Sequence, residues 1–125
     1  MSFAGVRSAL IRNVRQQNGT TIVELSGRID VTTAPDVKAQ LVDMVASGQS
    51  RLVLNLRGVE FIDSTGLGVL VSCLRRCVAS GGDLYLAELP EFARAIFDLT
   101  RVTRVFRIEE SEAEAIRAFE AGDRQ

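Results

Sequence analysis

One run of side chains, Asp63-Ser64-Thr65-Gly66-Leu67-Gly68, has the residue types and the placing to handle a phosphoryl group. It follows the apolar stretch Leu52-Val53-Leu54-Asn55-Leu56. A strand that leads through Asp-Ser into a helix puts a hydroxyl in that helix's first turn. Unpaired backbone N–H groups there favour negative charge and hold phosphate. Such a hydroxyl can be marked with a phosphoryl group and read by a partner. That is the chemistry of a switch and not of a catalyst.

What the chain lacks narrows the alternatives. Its 125 residues include no histidine, which removes His-based triads, imidazole general acids and imidazole metal sites. There is no G-x-x-x-x-G-K-[ST] loop to cradle phosphates. Gly66-Leu67-Gly68 goes no further than G-x-G, because Val71 stands where a dinucleotide fingerprint needs its last glycine. Cys73 and Cys77 share a helix face, but two thiols alone do not make a metal site and read as small core residues. No catalytic residue, metal ligand or cofactor is therefore assigned. The formal net charge is −1 and the 15 Lys and Arg are scattered, so no basic stripe invites nucleic acid. A hydrophobic share of 46% suffices for a core without staples. Two cysteines four apart are not a secreted-protein framework. No run nears the ~18 apolar residues of a membrane span, and the N-terminus has no secretory pattern. The expectation is one cytoplasmic domain over residues 1–125, with a core at 9–120 and loose ends at 1–8 and 122–125.

The elements that must position the Asp-Ser run follow from periodicity. Residues 9–15 and 21–25 are β-rich and flank Asn18-Gly19, the strongest short hairpin signal. Gly27-Arg28-Ile29-Asp30 leads into Thr33-Ala34-Pro35-Asp36, which reads as an N-cap, a first-turn proline and a dipole-complementing acid. Val37, Leu41, Met44 and Val45 then mark a helix that ends near Gly48. Residues 52–56 form a central strand. Leu67, Leu70, Val71, Leu74 and Val78 mark a second helix, stopped by Gly81-Gly82. Residues 83–88 are a strand with Leu84 and Leu86 on one face and Tyr85 on the other. Residues 91–99 read as a helix with Phe92, Ile96 and Phe97 inward, and 105–108 as a last strand. Ser111-Glu112-Ala113-Glu114 is a capping box opening a final helix that buries Ala115, Ile116 and Phe119. The expected fold class is α/β: a mixed sheet of about five strands, opened by a hairpin, with about four helices packed against it.

Gly27-Arg28-Ile29-Asp30, Thr33-Ala34-Pro35, Phe61-Ile62-Asp63-Ser64-Thr65-Gly66-Leu67-Gly68-Val69-Leu70, Leu84-Tyr85-Leu86 and Ile96-Phe97-Asp98-Leu99 occur in that order. Together they resemble the STAS domains of bacterial anti-sigma factor antagonists over residues 9–120. The resemblance implies a protein that binds an anti-sigma factor which is itself an ATP-using serine kinase, and so frees the sigma factor. The kinase phosphorylates the serine after the Asp, here Ser64, and a PP2C-type phosphatase restores binding. Such a chain has no active site of its own and no direct nucleic-acid or membrane partner.

The partner-binding residues implied are Asp30, Thr33, Asp63, Ser64, Thr65, Gly66, Leu67 and Gly68. Most of these have a local alternative. Ser64 caps its helix; Asp63 satisfies backbone donors instead of orienting Ser64; Asp30 closes a turn; Gly66 and Gly68 admit a strand backbone instead of a partner. Thr65 is a second hydroxyl beside the acceptor, and Arg75 and Arg76 point off the core face as solvated charges. A kinase-independent STAS scaffold or accessory subunit of a signalling complex or transporter shares the fold, and the intact Asp63-Ser64 pair speaks against it. One position departs from the family pattern. Glycine commonly follows F-D-x-[ST], whereas Arg101 follows Phe97-Asp98-Leu99-Thr100. A left-handed turn in that loop is thereby put in question.

Overall fold

In the computed structural model, which describes residues 10–122, Asn18 (φ 54°) and Gly19 (φ 81°) both take left-handed backbone. Two such residues in succession suit the twist of a tight hairpin. They fold β1 (Ile11–Gln17) antiparallel onto β2 (Thr20–Ile29). The later pairings are parallel, adding β3 (Arg51–Ile62), β4 (Asp83–Ala87) and β5 (Arg107–Glu109) in the spatial order β1-β2-β3-β4-β5. Helices α1 (Ala34–Ala46), α2 (Ser64–Ala79) and α3 (Glu91–Leu99) make the crossovers, and α4 (Glu112–Ala121) follows β5. A 3-10 turn, Val102–Arg104, lies between α3 and β5. Among the described residues the result is one α/β domain with a five-stranded mixed sheet and four α-helices. Residues 1–8 and 123–125, expected to be loose, lie outside the described range. Gly122, within it, closes α4 with φ 66°.

The sheet is covered on both faces, which explains the apolar runs at residues 52–54 of β3 and 84–87 of β4. Val23, Leu25, Leu52, Leu54, Leu84 and Leu86 face a core completed by Leu41 of α1, Leu70 of α2 and Phe97 of α3. Ile22, Val53 and Tyr85 face the other way, onto Ala115 and Phe119 of α4. Tyr85 stacks on Phe119 with ring centroids 3.9 Å apart. The alternation expected of β4 is therefore present. Among the described residues no helix is long and apolar enough to cross a membrane.

Four local expectations are corrected. The central strand does not stop at Leu56; β3 continues to Ile62, pairing Ser26 with Gly58 and Ile29 with Ile62 across two register shifts. Its polar residues Arg57 and Glu60 are exposed, so the second half lacks the unbroken apolar run that marks the first. The last strand starts at Arg107 and not at residue 105. Hydrogen bonds from Arg104 N–H to Arg101 and from Val105 N–H to Val102 hold the chain in a turn, and Phe106 packs toward Phe97 at 6.2 Å. Phe92 is 37% exposed, because Ala93 and Phe97 take the inward positions of α3. Val78 is 52% exposed, and Cys77 beside it faces the core.

Candidate functional site

The site is built where β2 and β3 end side by side. The extension of β3 brings Asp63 next to Ile29, whose carbonyl accepts the Asp63 N–H at 3.2 Å. Asp63 is the N-cap of α2. Its Oδ1 accepts from Gly66 N–H at 2.8 Å, and its Oδ2 accepts from Val31 N–H at 3.0 Å. One carboxylate thus closes the first turn of α2 and pins the β2–α1 loop to it. Capping therefore belongs to Asp63 and not to Ser64.

Ser64 is the first helical residue. It is exposed, and its hydroxyl makes no hydrogen bond among the described residues. Thr65 is also exposed. Gly66 is buried, and a Cβ there would lie 2.3 Å from the carbonyl oxygen of Ile29. Its bareness lets the helix start against β2, which settles the local reading of that glycine. Gly68 is different. It is exposed, and a Cβ there would meet nothing within 4 Å, so no strand approaches it.

The neighbouring loop is locked from within. Asp30 Oδ1 accepts from Thr32 N–H at 3.0 Å, the Thr32 hydroxyl at 2.7 Å and Thr33 N–H at 3.2 Å, the pattern of a side chain closing its own turn. The Thr32 hydroxyl chiefly, with the backbone donors of Thr32 and Thr33 and the Thr33 hydroxyl, holds the Asp30 carboxyl below its ordinary range against desolvation. Thr33 occupies the N-cap position of α1, but its hydroxyl caps nothing. It donates to Arg28 C=O at 2.6 Å and accepts from Asp30 N–H at 2.9 Å. Arg28 lies over the Phe61 ring at 4.1 Å. Asp30 and Thr33 therefore shape the loop, and what that loop presents is Val31, 63% exposed. Sequence reasoning missed Val31; its signal was only an apolar residue inside a turn.

A groove of about 610 Å³ starts at Ser64 and follows α2 past Gly68 and Val71 to Arg75 and Arg76, and Val102 of the 3-10 turn also lines it. Leu67, only 9% exposed, reaches it as well. Val102 comes from a segment distant in sequence and gave no local signal. Arg101 itself takes the left-handed conformation, φ 62°, so the turn keeps its shape without glycine. Away from this face, burial pushes the Cys73 thiol up to about 11 and the Cys77 thiol up to about 12, as inert core residues require. Among the described residues no three His, Cys, Asp or Glu side chains gather as a metal site needs.

Residues 12–115 match the STAS domain model. The chain belongs to the STAS family. The anti-sigma-B factor antagonist of Bacillus subtilis is 34% identical to this STAS domain over 96 residues, 77% of this chain and 87% of that protein. The anti-sigma-B factor antagonist of Staphylococcus epidermidis is 32% identical over 88 residues, 70% and 82% of the two chains. The crystal structure of an anti-sigma factor antagonist from Mycobacterium paratuberculosis superposes with a TM-score of 0.78 at 27% identity, covering 86% of this chain and 92% of that one. This STAS domain thus has anti-sigma factor antagonists as homologues.

Proposed function

We propose that this STAS domain is an anti-sigma factor antagonist controlled by phosphorylation of Ser64. In the cytoplasm, its unphosphorylated form binds a serine-kinase anti-sigma factor and releases the sigma factor. The kinase transfers the γ-phosphoryl group of ATP to Ser64 Oγ, whose proton is lost as ADP departs, and binding is switched off. A PP2C-type phosphatase hydrolyses the phosphoserine and restores it. In this cycle the domain is ligand and substrate, not enzyme.

The observation that carries the reading is the exposed Ser64 hydroxyl, unbonded among the described residues and set in the first turn of α2 by a neighbour that already does the capping. A kinase can reach it without unfolding anything. Phosphorylation adds roughly 1.5 to 2 negative charges and three acceptor oxygens at that point. One extra like charge about 4 Å from an acidic partner group costs about 4 kcal/mol at an effective dielectric near 20. That amounts to about a thousandfold in affinity. A local charge is sufficient, and no refolding is required.

The test is phosphorylation by the cognate kinase with ATP, followed by mass-spectrometric mapping and binding assays on variants. The phosphate is expected on Ser64, with Ser64→Ala retaining binding and Ser64→Asp losing it. Equal binding by wild type and both variants would remove the switch and favour a kinase-independent scaffold. Modification at Thr65 alone would move the acceptor by one residue.

A further inference from the structure

Helix α2 contains a glycine for which the fold has no use. Gly66 is required by the closeness of Ile29, but Gly68 has helical backbone, open space where a Cβ would stand, and solvent above it. Glycine inside a helix is among the least favourable residues, so its emptiness has no internal compensation. The space it leaves belongs to the groove that begins at Ser64 and is walled by Leu67, Val71, Ala79 and Val102. Arg75 and Arg76 stand at the far end. Both are exposed, and neither makes an ion pair among the described residues. The helix dipole gives a reason for Arg76, which lies in the last turn of α2. It gives none for Arg75. An apolar trough with two unpaired cations at one end complements a segment that is apolar along its length and acidic at one end.

We propose that this groove receives an apolar segment of the anti-sigma factor whose carboxylates meet Arg75 and Arg76, with Gly68 left bare so that the segment can approach the helix closely. The proposal rests on the reading of the previous section and names the chemistry of the partner at that same face. It also divides the interface into two separable parts. Ser64 and Arg75 are about 16 Å apart along the helix at 1.5 Å per residue, beyond a Debye length of about 8 Å at physiological salt. A phosphate on Ser64 and the loss of the arginines therefore act independently, and their effects add.

The experiment uses the full chain and each serine-kinase anti-sigma factor encoded in its own genome, purified and titrated by calorimetry. Gly68→Gln is expected to raise the melting temperature by about 3 °C, because it restores helix propensity, and yet to weaken binding at least about tenfold by filling the trough. Arg75→Glu with Arg76→Glu is expected to weaken binding by at least about tenfold, with the loss shrinking at high salt, while the melting temperature falls by only a few degrees from placing an acid in the last turn of α2. Lysine at both positions is expected to retain binding. Wild-type affinity in Gly68→Gln and in the double arginine reversal, with binding still lost in Ser64→Asp, would overturn the groove and leave the switch standing. If no such anti-sigma factor binds the wild-type chain, both readings fall. If Gly68→Gln instead dissociates a dimer of the chain in sedimentation and leaves anti-sigma binding unchanged, the occupant is a second copy and the proposal is overturned.

Discussion

Asp63 commits both carboxylate oxygens to backbone N–H groups on two different segments, and that commitment frees Ser64. The consequence is measurable. Ser64→Ala should leave stability within about 0.5 kcal/mol of wild type, whereas Asp63→Ala should cost about 1–2 kcal/mol by removing a cap and a loop tether together. Urea unfolding of the two variants checks this; a large loss from Ser64→Ala would return the capping role to the serine. Amide exchange at Val31 should accelerate in Asp63→Ala and in Asp63→Asn, since an amide side chain keeps only one acceptor oxygen. Gly66→Ala drives a methyl into the Ile29 carbonyl, 2.3 Å away, and should cost about 1–3 kcal/mol.

At the scale of elements, two features show the sheet and helices overriding local preference. Arg101 holds a left-handed conformation at the end of α3, which disfavours any residue with a Cβ. Arg101→Gly should therefore raise stability by up to about 1 kcal/mol in thermal melts, the gain being trimmed by glycine's freedom in the unfolded chain. A decrease would show that the Arg101 side chain contributes more than its backbone loses. Helix α2 turns Cys73 and Cys77 inward, where burial holds their thiols at about 11 and about 12. Ellman's reagent at pH 8 should find no reactive thiol in the native protein and two after denaturation. Rapid reaction of the native form would mean that α2 opens far more readily than its packing implies.

Across the whole molecule, α4 is fastened over its face of the sheet by a polar clamp as well as by the Tyr85–Phe119 stack. Glu112 accepts from Arg15 of β1 and, at 2.7 Å, from Asn55 of β3. Burial alone would push the Glu112 carboxyl up, but the hydrogen bonds from Asn55 and Arg15, with the guanidinium charge, outweigh it and hold the group below its ordinary value of 4.5. The unfolded chain therefore takes up this proton first as the solution is acidified. The clamp's stabilisation is complete above about pH 4.5 and is lost as pH falls through the depressed folded value. Glu112→Gln should cost about 1–2 kcal/mol near neutrality and flatten the acid limb of the stability profile. An unchanged profile would show that the clamp does not couple α4 to the sheet.

Much of this was legible in the chain alone. Asn18-Gly19 set the hairpin, the apolar alternation of β4 set its two faces, and Asp63-Ser64 marked the start of α2 with an exposed hydroxyl. Each of these depends on residues within a few positions of one another, where backbone sterics and periodicity act directly. Tertiary structure alone decided that Asp63 would tether Val31, 32 residues away in the chain. It also decided that β3 would run on to Ile62 beside β2, that Phe92 would stay at the surface, and that Val102 would line a groove along α2 above the bare Gly68. Those outcomes depend on which segments meet, and no local pattern records the other side of a contact.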